Sequence, residues 1–206
     1  MANYEKPDFW SLKAQKEGYP ARSVYKLKEM DEKFGLIKPR HNCFKLLDLG
    51  AAPGSWSLYA LRKLGQKGFL AAVDLSPLSR QYDKGLFEGG NFFFVLGDMT
   101  SPETRESLLS RGPYHLIISD AAPATTGNRS VDTFRSLDLV ETALSYAENA
   151  LEPGGALVVK VFQGGDTQEL LKKIRGLFAV CKSFKPQACR SESFETYYLG
   201  LGKHSG

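Results

Sequence analysis

A Rossmann-like α/β fold, with helices on both faces of a mostly parallel sheet, is what this 206-residue sequence predicts. Three observations carry that expectation. From Phe44 onward, short apolar runs alternate with stretches of helical periodicity, the pattern of right-handed βαβ units. The first run leads straight into a glycine-bearing turn, Gly50-Ala-Ala-Pro-Gly54, and Ser55 opens a helical stretch. Finally, run after run stops at a charged residue, which places polar groups along one edge of the sheet, where such folds bind ligands.

In chain order, residues 9–17 and 21–34 read as helices that hold most of the N-terminal basic residues. Five strands are then expected at 43–48, 68–74, 91–97, 114–120 and 155–161. Helices at 55–65, 101–110 and 133–151 separate them, with a short turn of helix near 79–86. After a helix at 167–177, two runs (178–184 and 195–202) follow with no helix between them and suit a terminal antiparallel pair. Seven strands result. The first four stop at Asp48, Asp74, Asp98 and Asp120, and the fifth carries Lys160 among apolar residues. A charge in a central parallel strand is costly unless it is paired or serves a site. Five charged strand ends therefore outline a polar crevice.

The length suits one domain, 1–206, divided into a basic helical extension (1–40) and a nucleotide-binding core (41–206). With 42% hydrophobic and 24% charged residues, composition is that of an ordinary soluble protein. No apolar stretch is long enough to span a bilayer, and no signal-peptide core follows Met1, so a cytoplasmic protein with no membrane partner is expected. Cys43, Cys181 and Cys189 lack metal-ligand spacing and read as buried small hydrophobes of a reduced compartment. His41, His115 and His204 share no ligand spacing either, so no metal is expected. The net charge of +4 is unevenly spread: +4 over 1–45, −4 over 46–155 and +4 over 156–206. Two basic ends that converge on one face would meet a polyanion.

The loop narrows the ligand. A dinucleotide loop wants Gly-x-Gly-x-x-Gly so that its backbone can approach a pyrophosphate. Here Ala51, Ala52 and Pro53 separate Gly50 from Gly54, and the middle glycine is missing. An adenosyl ligand without a phosphate suits this loop, and S-adenosylmethionine (SAM) fits. Asp74 lies 24 residues beyond Gly50, about the distance at which an acid reaches ribose hydroxyls. Asp98 is placed to accept from an adenine amine, although a turn or capping role competes. Trp56 reads as packing support beside the ligand, and Phe92–Phe94 as core.

The chain resembles the FtsJ-type RNA 2′-O-ribose methyltransferases from about Asp8 to Leu201. The ordered motifs that carry the resemblance are Glu17-Gly-Tyr with Ala21-Arg-Ser-Val-Tyr-Lys-Leu, Asp48-Leu-Gly-Ala-Ala-Pro-Gly-Ser-Trp, Ser119-Asp-Ala-Ala-Pro, Val158-Val-Lys-Val-Phe-Gln-Gly and Arg190-x-x-Ser-x-Glu195. The resemblance implies a class I SAM-dependent methyltransferase fold and a catalytic tetrad of Lys26, Asp120, Lys160 and Glu195. The family's SAM-binding positions match Gly54, Trp56, Asp74, Asp98 and Asp120 here; Gly50, Ala51, Pro53, Ser55, Leu75 and Met99 are expected to add cofactor contacts, and an RNA-modifying reading expects Arg22, Lys26 and Arg190 on the RNA face. The chain departs from the family pattern at Pro20, Ala124 and Phe194, where members often carry basic, asparagine and basic residues respectively. With no appended domain, it is most similar to bacterial-type enzymes that methylate a uridine of large-subunit ribosomal RNA, and a monomer is expected.

The tetrad makes chemical sense unaided. Methyl transfer from a sulfonium to a ribose hydroxyl needs an in-line approach and a proton acceptor. A lysine serves only when neutral; burial and a neighbouring cation favour that, and neighbouring carboxylates oppose it. The expected roles are Lys160 as proton acceptor, Asp120 as its orienting partner, and Lys26 with Glu195 holding the ribose. A transfer RNA anticodon-loop 2′-O-methyltransferase is the runner-up reading. A non-catalytic RNA-binding ribosome assembly factor has no need of a lysine in a buried strand, a small-molecule methyltransferase leaves the basic ends unexplained, and the loop disfavours a NAD enzyme.

Overall fold

The structure, a computed structural model, describes residues 8–38, 43–123, 126–164, 167–190 and 193–205. His41, Ala124 and the expected 40/41 boundary lie outside these residues. Seven strands form one sheet: β1 (Lys45–Leu49), β2 (Phe69–Asp74), β3 (Phe92–Leu96), β4 (Tyr114–Ser119), β5 (Leu151–Phe162), β6 (Phe178–Phe184) and β7 (Glu195–Lys203). Their order is β3-β2-β1-β4-β5-β7-β6. The first five pair in parallel, and β7 runs antiparallel to both β5 and β6.

Among the described residues, six α-helices cover the sheet: α1 (Phe9–Lys16), α2 (Val24–Phe34), α3 (Ser55–Leu64), α4 (Pro102–Leu109), α5 (Arg129–Ala150) and α6 (Thr167–Leu177). Strand alternation sends Leu47 and Leu49 to one face and Leu46 and Asp48 to the other. On the first face, Leu47, Leu49, Ile117 and Leu157 pack with Leu144 of α5 and Ile174 of α6. On the second, Leu46, Leu116 and Val158 pack with Leu27 and Met30 of α2 and Leu61 of α3. A smaller cluster of Ala14, Tyr25 and Leu58 lies where the first two helices meet α3.

Several element bounds differ from the sequence reading, among them three around the later strands and helices. The segment 79–86 is irregular, with a single 3-10 turn at Leu86–Glu88, and its Ser79 N–H donates to the Pro53 carbonyl at 3.0 Å. Helix α5 starts at Arg129 because the Asn128 side chain accepts from Ser130 and Val131 N–H and caps it there. Strand β5 starts at Leu151, which pairs with Tyr114. Phe92–Phe94 are only partly buried, since β3 is an edge strand. Cys189 is buried and Cys181 partly so, but Cys43 is exposed, contrary to the expectation for all three.

Candidate active site

The carboxyl ends of β1, β2, β3 and β4 border a cavity of about 270 Å³. Gly50, Ala52, Asp74, Leu75, Asp98, Met99 and Asp120 line it, along with Val73, Gly97, Ala121, Ala122 and Leu139. The loop after β1 is held against its neighbours: Gly50 and Ala51 N–H both donate to the Val73 carbonyl, at 2.9 and 3.0 Å. Gly50 has φ +77°, and a Cβ there would sit 2.6 Å from that of Ala121, so the residue has to be glycine. Asp74 accepts from Ala52 N–H and Ser76 N–H, both at 2.8 Å, which aims its carboxylate along the cavity wall. Asp98 is exposed and accepts on one oxygen from the Thr100 N–H and hydroxyl, both at 2.8 Å. These bonds hold its carboxyl below the usual carboxylate range.

Ala51, Pro53, Gly54, Ser55 and Trp56 do not border the cavity. The Ser55 hydroxyl accepts from Ala21 N–H at 2.8 Å and donates to the Ala21 carbonyl at 3.2 Å. The buried Trp56 indole donates to the Ser23 carbonyl at 2.8 Å. Both side chains therefore anchor the start of α2. Asp48 corrects the picture of five charged strand ends on one crevice. It faces α3, fully buried, where it accepts from the Ser57 hydroxyl at 2.6 Å. Its second oxygen has no partner among the described residues, and burial pushes its carboxyl up to about 7.

Helix α2 brings Lys26 to the sheet. Asp31, buried in the same helix, accepts from Ile37 N–H at 2.9 Å, from the Tyr59 hydroxyl at 2.7 Å and from Lys63, which ties α2 to α3. Glu29 accepts from Gln187 and Ala188 N–H at 2.7 and 3.0 Å, which ties α2 to the segment before β7. Thus held, Lys26 is 9% exposed and pairs with Glu195 at 2.7 Å. Lys160 lies 3.1 Å from an Asp120 carboxylate oxygen and donates to the Asp120 carbonyl at 2.5 Å. The four tetrad side chains thus form two adjacent ion pairs, one of which includes the cavity-lining Asp120.

A fifth residue joins them. The buried Tyr197 hydroxyl donates to Asp120 at 2.6 Å, and its ring lies 5.8 Å from the Lys26 ammonium and 5.9 Å from the Trp56 ring. Sequence reasoning missed it, although the period of 2 in a strand places Tyr197 on the same face as Glu195. Burial opposes ionisation of Asp120, yet Lys160, Lys26 and the Tyr197 hydroxyl outweigh it and hold the carboxyl below its usual range. Burial opposes the Lys26 charge in the same way, but Asp120 and Glu195 prevail and raise its pKa. Burial, with Glu195 beside it, pushes the Cys189 thiol up to about 12, so the site contains no thiolate nucleophile there.

Of the expected RNA contacts, only Arg190 is an exposed surface cation. Arg22 is partly buried, donates to the Ala188 carbonyl at 2.7 Å and pairs with Asp8, and Lys26 is buried against Glu195. Among the described lining residues of the cavity, three are carboxylates and none is Lys or Arg. That set of acceptors repels phosphates and suits a ligand with hydroxyls, amines and net positive charge, which are the properties of SAM.

Comparison with known proteins agrees with this chemistry. The model of the FtsJ-like methyltransferase family matches residues 19–203. The chain is 55% identical over 199 residues to the ribosomal RNA large subunit methyltransferase E of Treponema denticola, covering 96% of each chain. It is 45% identical to the protein of the same name from Oleidesulfovibrio alaskensis, over 95% of this chain and 91% of that one. Among solved structures, a ribosomal RNA methyltransferase chain from Plasmodium falciparum superposes with a TM-score of 0.75 at 24% identity, over 91% of this chain and all of that one. Human methyltransferase-like protein 13, in complex with S-adenosylhomocysteine, gives 0.58 at 15% identity over 84% and 80% of the two chains. These two share the fold.

Proposed function

Since the chain belongs to the FtsJ-like methyltransferase family, we propose that it transfers a methyl group from SAM to the ribose 2′-hydroxyl of a uridine in large-subunit ribosomal RNA. The observation that carries the reading is the double duty of Asp120, which lines the cavity and also binds Lys160. A donor in the cavity and an acceptor hydroxyl at Lys160 then meet across one residue. Bound there, SAM would supply an electrophilic methyl on a sulfonium.

Asp74 and Asp98 would take the hydroxyls and amine of the adenosyl group, and Leu75 and Met99 its apolar faces. In the neutral form of its amine, Lys160 accepts the proton of the ribose hydroxyl, and Asp120 fixes the direction of that amine. Lys26 keeps its charge, paired with Glu195, and the pair holds the ribose in line. Arg190 adds a phosphate contact, which positions RNA without reading its sequence. So small a charged footprint favours a structured substrate, the assembled large subunit or its precursor.

The test is label transfer from methyl-labelled SAM to unmethylated large ribosomal subunits, naked ribosomal RNA and transfer RNA, followed by nucleoside digestion. A 2′-O-methyluridine from the large subunit is the expected product. Label in transfer RNA alone would move the substrate and keep the chemistry. Lys160→Arg keeps a cation that stays protonated, so turnover should fall by about a hundredfold or more while SAM still raises the melting temperature. Near-normal turnover of that variant would exclude Lys160 as the base.

A further inference from the structure

The strand pair that carries Lys160 and Glu195 ends in two aromatic rings. Phe162 follows Lys160 by two residues, on the same face of β5, and is the register partner of Glu195. Phe194 directly precedes Glu195, and its carbonyl accepts from Gln163 N–H at 2.8 Å. The two rings lie 4.8 Å apart and are tilted by 59°. Phe162 is buried at 7% exposure, whereas Phe194 is partly open to solvent. A fixed ring thus backs an accessible one, a single residue from the tetrad.

We propose that Phe194, backed by Phe162, is a substrate-binding residue that stacks on an RNA base at the methylated nucleotide. The inference rests on the reading of the site as an RNA 2′-O-methyltransferase. In a nucleotide the base hangs from the carbon next to the one that bears the 2′-hydroxyl. A hydroxyl delivered to Lys160 therefore brings its base to the carboxyl end of β5 and the start of β7, where these rings lie. The charged groups of the tetrad are committed to one another in the Lys26–Glu195 and Lys160–Asp120 pairs, so among the described residues it is the ring pair that offers a base a flat apolar surface. Proteins that hold unpaired RNA use aromatic rings in this way, because every base has a π-face.

Steady-state kinetics on unmethylated large ribosomal subunits test the idea with wild type, Phe194→Ala, Phe194→Leu and Phe194→Trp. One lost base–aromatic stack raises the KM for the subunit between about fivefold and a hundredfold, and that is the effect expected of the Ala and Leu variants. Phe194→Trp should stay near the wild-type KM, and the melting-temperature rise with SAM should be the same in all four proteins. The Leu variant keeps apolar bulk against Phe162, so it separates stacking from packing and from misfolding. A wild-type KM in Phe194→Leu would overturn the proposal. So would a loss confined to kcat, which would make Phe194 a support for Glu195. Wild-type protein that transfers no methyl to the subunit would overturn the functional reading itself, a result distinct from an active wild type with unchanged KM in the variants.

Discussion

Asp120 gathers more of the site than any other single residue. The residue borders the cavity, its carboxylate takes the Tyr197 hydroxyl at 2.6 Å and lies 3.1 Å from Lys160, and its carbonyl accepts from the same lysine. Two fixed contacts to one lysine nitrogen set its direction more tightly than one would. Tyr197 is the silent partner here: burial and then the Asp120 charge push its phenol well above the usual range, so it remains a donor. Tyr197→Phe keeps the ring under Trp56 and deletes only the bond. We expect a stability loss of about 1 kcal/mol in urea unfolding. Turnover should fall by up to about tenfold, the equivalent of that bond in the transition state, with SAM affinity little changed. Unchanged turnover would show that Lys160 alone orients Asp120.

At the scale of elements, the site depends on how α2 is docked. Lys26 reaches Glu195 only because α2 is tied down by the Ser55 hydroxyl and Trp56 indole at its start, and by Asp31 and Glu29 along its length. The loop after β1 therefore acts in two directions, toward the cavity through Gly50 and Ala52 and toward α2 through Ser55 and Trp56. Ser55→Ala removes two bonds to Ala21 and frees the chain before α2 by about 1–2 kcal/mol. Limited proteolysis between Gly18 and Ser23 should then speed up by about tenfold or more, with turnover falling in parallel. If the cleavage rate stayed at the wild-type value, the clamp would lie elsewhere.

For the molecule as a whole, Asp48 sets a pH dependence of stability. Its folded pKa of about 7 exceeds the ordinary 3.8 because the carboxyl is buried with one oxygen unpartnered. Between these values the folded protein keeps a proton that the unfolded chain gives up. The contribution of Asp48 is thus fullest below about pH 4, shrinks as pH rises and is gone above about 7, a change of order 4 kcal/mol. Asp120 works in the opposite sense: its lowered pKa stabilises above the ordinary carboxylate range and is lost as pH falls through its folded value. Asp48→Asn isolates the first effect. The melting temperature of the variant relative to wild type should be higher at pH 8 than at pH 4.5. An equal difference at both pH values would mean that Asp48 is ionised in the folded protein.

Local pattern was enough for the alternation of strands and helices, the glycine turn after β1 and the acids at Asp74, Asp98 and Asp120, because backbone periodicity and turn chemistry act over a few residues. The ordered motifs named the four tetrad side chains before any geometry was known. Which way a side chain faces across a packed layer is a different kind of information. Nothing near Asp48 in sequence says that it turns toward α3. Lys26, 94 residues before Asp120, reads alone as a solvated helix lysine; docking of α2 buries it. Tyr197 becomes a partner of Asp120 only because β7 inserts between β5 and β6. Fold class, family and the chemical inventory were determined by the sequence by itself, since each is written in neighbours along the chain. The pairing of charges, the anchoring role of Ser55 and Trp56 and the aromatic pair beside Glu195 were decided only by tertiary structure, because burial and hydrogen bonding join residues that the chain keeps far apart.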